Sequence, residues 1–561
     1  MNRRHFLLSL LFSLFVNPAF ADTASVYFNG DILTMEGDSP NYAEALVVRG
    51  SEIAFVGDKR KAIAQAGKDA KQIDLKGATL LPGFIDSWGH FTLIAQNTLG
   101  VNLAYFSAKP PQTKAQLIQK LQKEGKPFNG WVLGNGYADP LLSDGPLTLA
   151  DLDKAFPTQP LLLSNISTLT GIANSAGLKK LGISKSTKAV SGFIPVDPKT
   201  GELTGELIGM PFLEAAAKST GSYSRDLTFQ TYRKAERMYF ENGFTTAQSY
   251  ESTVDDIASM RTAVEKGIVS IDLIALPTFD VVDQLLKTNP NYSFGTYTNG
   301  KRGFKVAGIM VPTDGAPQLR LAFMTKPYLI STGFDANWRG FAYNAQSTID
   351  HYAKLAYEKN IQYFAYSNGD AGIDMTLAAL NRAIKETGIT ENRRTVVSHA
   401  MFVRQDQLQQ FKEKNILPIM LINHVWMYGD VYEKTVGAER AANQNPLKWV
   451  ESAGLRVGMH NDTPSSGPSA LFSMWTAVNR KTLGGTILGP DQRISPYRAL
   501  QGFTSSPAYQ YKEEFNKGKL AKGMLADLVV LDQNPLKVDA NEIKNIRVLK
   551  TIKGGVERFS H

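Results

Sequence analysis

The sequence predicts an α/β fold: a (β/α)8 TIM-type barrel with an inserted subdomain and a small β-sandwich domain formed by both termini. Three observations predict it. Apolar strand-like runs alternate with amphipathic helical stretches through the middle of the chain, as a parallel sheet requires. Short β-rich runs separated by tight turns occupy both ends. The first two strand candidates of the middle are too far apart for one helix to join them.

The elements follow in order. Residues 1–21 read as a signal peptide: Arg3 and Arg4 form a positive start, Phe6 to Val16 an apolar run too short to span a bilayer, and Ala19-Phe20-Ala21 a cleavage site. The Arg3-Arg4 pair also resembles a twin-arginine signal, and ordinary Sec export stays open beside it. Both routes imply a periplasmic protein with no membrane segment in its mature form. Residues 22–80 and 505–561 are assigned to the β-sandwich domain, from runs such as Ser25-Val26-Tyr27-Phe28 and Leu528-Val529-Val530-Leu531. Residues 81–504 are assigned to the barrel and 100–225 to the inserted subdomain. The eight barrel strand candidates are Thr79–Asp86, Thr245–Gln248, Ile271–Leu276, Phe304–Val311, Gln362–Tyr366, Thr395–His399, Leu417–His424 and Leu455–Asp462. Eight such units over this length fit a closed barrel with insertions.

Composition excludes several classes. Hydrophobic residues at 43% and charged residues at 20% fit a globular enzyme and leave no disordered tract. The net charge of +9 is spread along the chain, without the Lys/Arg block that would track phosphates, so a nucleic-acid partner is not expected. The expected partner is a small-molecule substrate; a homodimer stays open. The absence of cysteine excludes disulfides, thiolate metal sites and a Cys nucleophile.

A barrel of this kind carries its site at the C-terminal strand ends. His90, Asp314, Tyr366, Asp370, His399, His424, His460 and Asp462 fall at or just beyond those ends, and they include four of the seven histidines. His460 and Asp462, two apart on one expected strand, would face the barrel mouth together, to bind a divalent metal, activate water or pair with each other. His399 alone reads equally as a hydrogen-bonded core histidine. His424 lies in an aromatic run with Trp426 and Tyr428, either a substrate wall or packing. His351 falls on a helix and reads as a surface residue.

Several spaced motifs are similar to the amidohydrolase superfamily, and within it to the third amidohydrolase family, the YtcJ-like branch. They are Leu81-Pro82-Gly83-Phe84-Ile85-Asp86, Gly134-Asn135-Gly136-Tyr137, Ala173-Asn174-Ser175-Ala176, Asp314-Gly315-Ala316-Pro317-Gln318, Asn368-Gly369-Asp370, His460-Asn461-Asp462-Thr463-Pro464 and the closing stretch Lys519 to Asp532. The resemblance covers nearly the whole mature chain. It implies hydrolysis of C–N bonds in amides, formamides or related compounds, with metal ions lowering the pKa of a bound water. Carried over position by position, it leaves three expected metal ligands: His90, His399 and Asp462. Trp88 stands where the first histidine of the opening pair belongs, Met310 where a carboxylated lysine belongs, Tyr366 where the fifth-strand histidine belongs, and Leu169 replaces a further histidine. The resemblance thus implies a reduced site with one divalent metal ion, zinc foremost, or none. His424 or His460 would complete such a site. Asp462 would be the general base with His460 or His399 as partner, and Trp88, Tyr366, Asp370, His424 and Trp426 would line the substrate pocket. The alternative is a catalytically inactive ligand-binding or regulatory protein on the same fold.

Overall fold

The computed structural model describes residues 23–106, 109–189, 192–298, 302–330 and 335–561. The expected signal peptide lies outside the described residues. The β-sandwich expected from both termini takes the form of one continuous eight-stranded sheet. Thr79–Pro82 is its hinge: it pairs in parallel with Ser25–Leu33 and antiparallel with Leu528–Leu531, so it joins the two ends of the chain. Helix Lys59–Ala66 covers part of one face, packing Ala62 and Ala66 on Val26 and Val47.

The chain leaves this sheet at Gly83, where a Cβ would stand 2.4 Å from the Thr245 side chain, so only glycine permits the approach. The first strand candidate, Thr79–Asp86, is therefore two strands serving two sheets. Beyond Gly83 runs β1 (Phe84–Ile85), followed along the chain by β2 (Phe244–Tyr250), β3 (Asp272–Leu276), β4 (Phe304–Val306), β5 (Gly308–Pro312), β6 (Gln362–Ser367), β7 (Val396–His399), β8 (Leu417–Met420) and β9 (Gly458–Met459). All pair in parallel, β1 to β4 in one sheet and β5 to β9 in another. Only Ala307 separates β4 from β5. The amides of Ala307 and Met310 donate to Ala275 and Pro277 at 2.8 and 3.0 Å, so the second sheet begins where the first leaves off. At the far margins Gly89 bridges Thr463 in parallel, and Ser87 Oγ donates to the Met459 carbonyl at 2.8 Å.

Three strand ends differ from expectation by two residues or more, and Phe304–Val311 is split at Ala307 into β4 and β5. Leu417–His424 stops at Met420, because Ile422 turns into the α region and Asn423–Val436 is a helix. Leu455–Asp462 contracts to β9, so His460 and Asp462 lie beyond the strand, and alternation along a strand does not orient them. β2 runs on to Tyr250, two residues further than expected.

Between Val101 and Gly209 the chain builds a separate six-stranded sheet with its own apolar clusters. Asn174, fully buried, explains the Ala173-Asn174-Ser175-Ala176 motif. Its Oδ1 accepts from the amides of Leu161 and Gly177, and its Nδ2 donates to the carbonyls of Phe156 and Gln159. The motif is a clasp that satisfies four backbone groups, including a helix start.

A buried charge network joins the parallel strands to the terminal sheet. Asp272 at the start of β3 meets Lys517 and, at 2.7 Å, Lys553. Lys553 also meets Asp527 at 2.8 Å. Glu513 meets Lys517 at 2.8 Å and Lys305 of β4. All six side chains are buried, three acids against three lysines. The stretch Ser505–Lys517 thus belongs as much to the parallel strands as to the terminal sheet, and Tyr511 Oη and Gln510 Nε2 also donate to the Ser87 carbonyl at the end of β1.

Removing one partner of a buried pair costs about 3–5 kcal/mol, whereas an exposed pair contributes about 0–1 kcal/mol. Asp272→Asn is therefore expected to lower stability by about that larger amount in chemical denaturation, and Glu557→Gln, which breaks the exposed pair with Lys550, to leave it almost unchanged. Burial pushes the Glu513 carboxyl up, but Lys517 and Lys305 pull it further down, to about 2 against an ordinary 4.5. A folded-state value below the unfolded one means that its stabilisation is complete above pH 4.5 and is lost as pH falls towards 2. Denaturation midpoints measured across that window should fall steeply for the wild type and less steeply for Glu513→Gln.

Candidate active site

The C-terminal ends of the parallel strands bring His90, His399, His460 and Asp462 together. His90 sits two residues past Trp88 at the start of helix Phe91–Asn97, with its amide donating to the Thr463 carbonyl at 2.8 Å. His399 ends β7 with φ 68°, and Asp462 has φ 51°. Both are left-handed conformations that a non-glycine residue holds only where its surroundings fix it, and they recur at functional sites. The Asp462 amide donates to the Trp88 carbonyl, so the first and last strand ends are tied at this carboxylate.

Asp462 faces two imidazoles. His90 Nε2 lies 3.5 Å from Oδ1 and His399 Nε2 lies 4.0 Å from Oδ2. The His90 and Asp462 side chains each keep 15% exposure, so this pair faces the mouth, while His460 is fully buried. Burial raises the Asp462 carboxyl, but the hydrogen bond from His90 and the charges of His399 and His90 outweigh it and hold the group far below the ordinary carboxylate range. Burial likewise pulls His90 down, and the Asp462 hydrogen bond and charge more than reverse it. Burial lowers His399 to about 4 and holds His460 well below its ordinary value. The site thus pairs His90 with the Asp462 carboxylate at its mouth, and burial favours the neutral form of His399 and His460 behind them.

Aromatic rings fill the space beneath. Trp88 is fully buried, 4.6 Å from the Tyr250 ring and 6.4 Å from Tyr366. Tyr366 stands edge-on to His399 at 4.5 Å, and His460 lies 4.7 Å from His399 on another side. Neither ring nitrogen of His460 has a hydrogen-bond partner, so His460 stands edge-on to His399 and makes no bond to Asp462.

Other candidates are placed elsewhere. Asp370 begins helix Asp370–Thr387 and accepts from the Thr325 amide at 2.8 Å and from Thr325 Oγ1, with Arg404 at 3.4 Å. These contacts hold a loop to the helix start and occupy the carboxylate expected to meet substrate. Asp314 is fully buried and accepts three backbone N–H bonds, from Phe323, Asn368 and Gly369. Burial pushes it up to about 7 against the pull of those amides. His424, in the first turn of its helix, contacts Tyr432 Oη through Nδ1 at 3.0 Å and stays close to Tyr428, its pKa pulled to about 3 by burial. Trp426 packs between Tyr105 and Phe472, 5.0 and 5.1 Å away. His351 is exposed on its helix.

Sequence reasoning missed Tyr250, hidden by ending β2 too early, and Asp86. The Asp86 carboxylate accepts from Tyr239 Oη at 2.9 Å beneath the Trp88-Gly89 turn, where burial pushes it up to about 7. It also missed a cavity of about 240 Å³ between helix Phe91–Asn97 and the inserted sheet, walled by Ile94, Asn102, Phe106, Asn135, Thr463 and Pro464 among others. Thr463, the neighbour of Asp462 in the chain, is part of the cavity wall.

Among the described residues, no three His, Cys, Asp or Glu side chains are set to hold a metal ion together. His90 and Asp462 pair with each other, and Trp88 and Met310 share one apolar cluster with Tyr366 packed on it. No helix among the described residues is long and apolar enough to cross a membrane.

Several known proteins are similar to this chain in sequence or in fold. The N-substituted formamide deformylase of Arthrobacter pascens is 26% identical over 563 residues, covering 95% of this chain and 97% of its own length. YtcJ of Bacillus subtilis (strain 168), itself only assigned as an amidohydrolase, is 24% identical over 550 residues, covering 95% and 98%. An uncharacterised metal-dependent hydrolase from Pyrococcus furiosus superposes with a TM-score of 0.71 at 21% identity, over 92% of this chain and 100% of that one, which shows a common fold. The Amidohydrolase family model matches residues 71–559, and the chain belongs to that family.

Proposed function

We propose that this chain is an exported hydrolase that cleaves the C–N bond of a neutral amide or formamide, with water directed by Asp462. In this reading β1 to β9 close into one (β/α)8 barrel; the contacts of Ala307 and Met310 on one side and of Gly89 with Thr463 on the other support it. The convergence of His90 and His399 on a carboxylate open to the mouth carries the functional reading. The formamide deformylase relative, aligned over 95% of the chain, supports the substrate class. Arg3, Arg4 and the apolar run after them support export to the periplasm.

The chemistry follows from the pairings. The water oxygen bonds to the carbonyl carbon, and one water proton passes to Asp462, with His399 beside it. The C–N bond then breaks, and the same proton is returned to the departing nitrogen, giving an amine and a carboxylic acid. Pairing with His90 weakens Asp462 as a lone base, so the accepting unit is the carboxylate together with its imidazoles. The cavity beside Thr463 receives the nitrogen substituent. Its wall carries amides and apolar groups and no charged side chain, which fits a neutral group.

A second reading, a catalytically inactive ligand-binding or regulatory protein, is favoured by the apolar packing of Trp88 and Met310 where donors are expected. A panel of N-substituted formamides and small amides separates the two: turnover supports the hydrolase, and binding without turnover supports the second. With a turned-over substrate, Asp462→Asn should lower kcat by about 10²–10⁴ with the melting temperature preserved, and full activity in that variant would falsify the role of Asp462. Phe106→Ala should raise KM for bulky N-substituents by about tenfold and leave kcat nearly unchanged, as expected for lost uniform binding.

A further inference from the structure

We infer that this chain carries no catalytic metal ion, because the space that metal donors would surround is filled by Trp88, Met310 and Tyr366. The inference does not depend on the hydrolase reading, since it concerns what the site can hold.

The argument starts from the side chains themselves. A catalytic zinc needs about three protein ligands at ~2.0–2.2 Å and an open position for water. An indole and a thioether supply no useful donor to a hard divalent ion. Their placement adds to that deficit. Trp88 and Met310 are both fully buried in one cluster with Ile274, Phe364 and Ile419. A dication placed within that cluster would lose its hydration and meet oxygen or nitrogen donors only at the rim, at His399, His460 and Tyr366, which is unfavourable.

His399 is boxed on three sides by rings: Tyr366 at 4.5 Å, His460 at 4.7 Å and Trp88 at 6.0 Å. Its Nδ1 lies 3.4 Å from Ser398 Oγ and its Nε2 faces Asp462. His460 is enclosed by His399 and Trp88 with both nitrogens unpartnered, and it joins no group of donors. Without a metal, Asp462 also holds His90 and His399 in place by direct contact. Polarisation of a substrate carbonyl then falls to hydrogen-bond donors of the chain, among which the His90 side chain, 15% exposed, lies at the mouth.

The test is elemental analysis of untagged full-length protein after exposure to Zn²⁺, Mn²⁺ and Fe²⁺ and exhaustive dialysis, with melting curves in each metal and in chelator. The expected result is fewer than about one ion per ten chains and a Tm unchanged to within about 1 °C. About one ion per chain surviving dialysis, with a chelator-sensitive Tm, overturns the inference. The paired variant Trp88→His with Tyr366→His restores two donors and should gain tightly held zinc and a higher Tm. A folded variant that gains none would overturn the claim that these two side chains are what excludes the metal. Both measurements read metal content and stability, so they stand whether or not a substrate is turned over.

Discussion

Six buried charges underlie the rest of this architecture. Asp272 and Lys305 lie on the parallel strands, Asp527 and Lys553 at the terminal sheet, and Glu513 and Lys517 on the segment between them. Burying ions is unfavourable unless each finds partners of opposite sign, and here three of each sign meet with no residual charge. Such a network tolerates little displacement, because a shift of any element would leave a charge uncompensated. The sheet built from both termini is thereby fixed against the strands whose other ends carry the site. Among the described residues none of its ion pairs includes His90, His399 or Asp462; the network anchors β3 and β4, which belong to the same set of parallel strands as those that carry the site.

At the opposite ends the constraint is conformational. His399 and Asp462 both adopt left-handed backbone angles, as does Ala400. Each turns its chain sharply within three residues of a strand end, where the side chains of His399 and Asp462 come together. Strain of this kind persists only where neighbours over-determine it; here these include the Asp462 amide on Trp88 and the Ala400 amide on Ser367. The aromatic filling of Trp88, Tyr250 and Tyr366 completes the enclosure.

Much of this was legible in the sequence, for identifiable reasons. Parallel strands such as β3, β5 and β8 are short apolar runs buried on both faces, so their continuity announces them, and the motifs near strand ends mark the residues that converge, whereas β2 is buried but rich in Thr, Gln and Ser. Local signals failed where the determinant is distant. His424 reads as a strand end until Ile422 is seen to start a helix, and Asp370 reads as a pocket residue until Thr325 and Arg404 are found on its oxygens. The charge network brings together residues from 272 to 553, and no single-sequence pattern links such positions. Trp88 and Tyr366 were visible as replacements, but only packing shows that they occupy the space as well as vacate the role.

Thr79–Pro82 has a bearing on how the molecule is made. Its two neighbours in the sheet come from opposite extremes of the chain, residues 25–33 and 528–531. During synthesis this strand therefore waits with one edge open while nearly the whole polypeptide emerges. Loop closure across that span is slow compared with local pairing, and an unpaired strand edge recruits other chains in the interval. Completion of the fold is thus tied to Leu528–Leu531, and a chain cut short of that strand leaves the edge of Thr79–Pro82 exposed as a template for association.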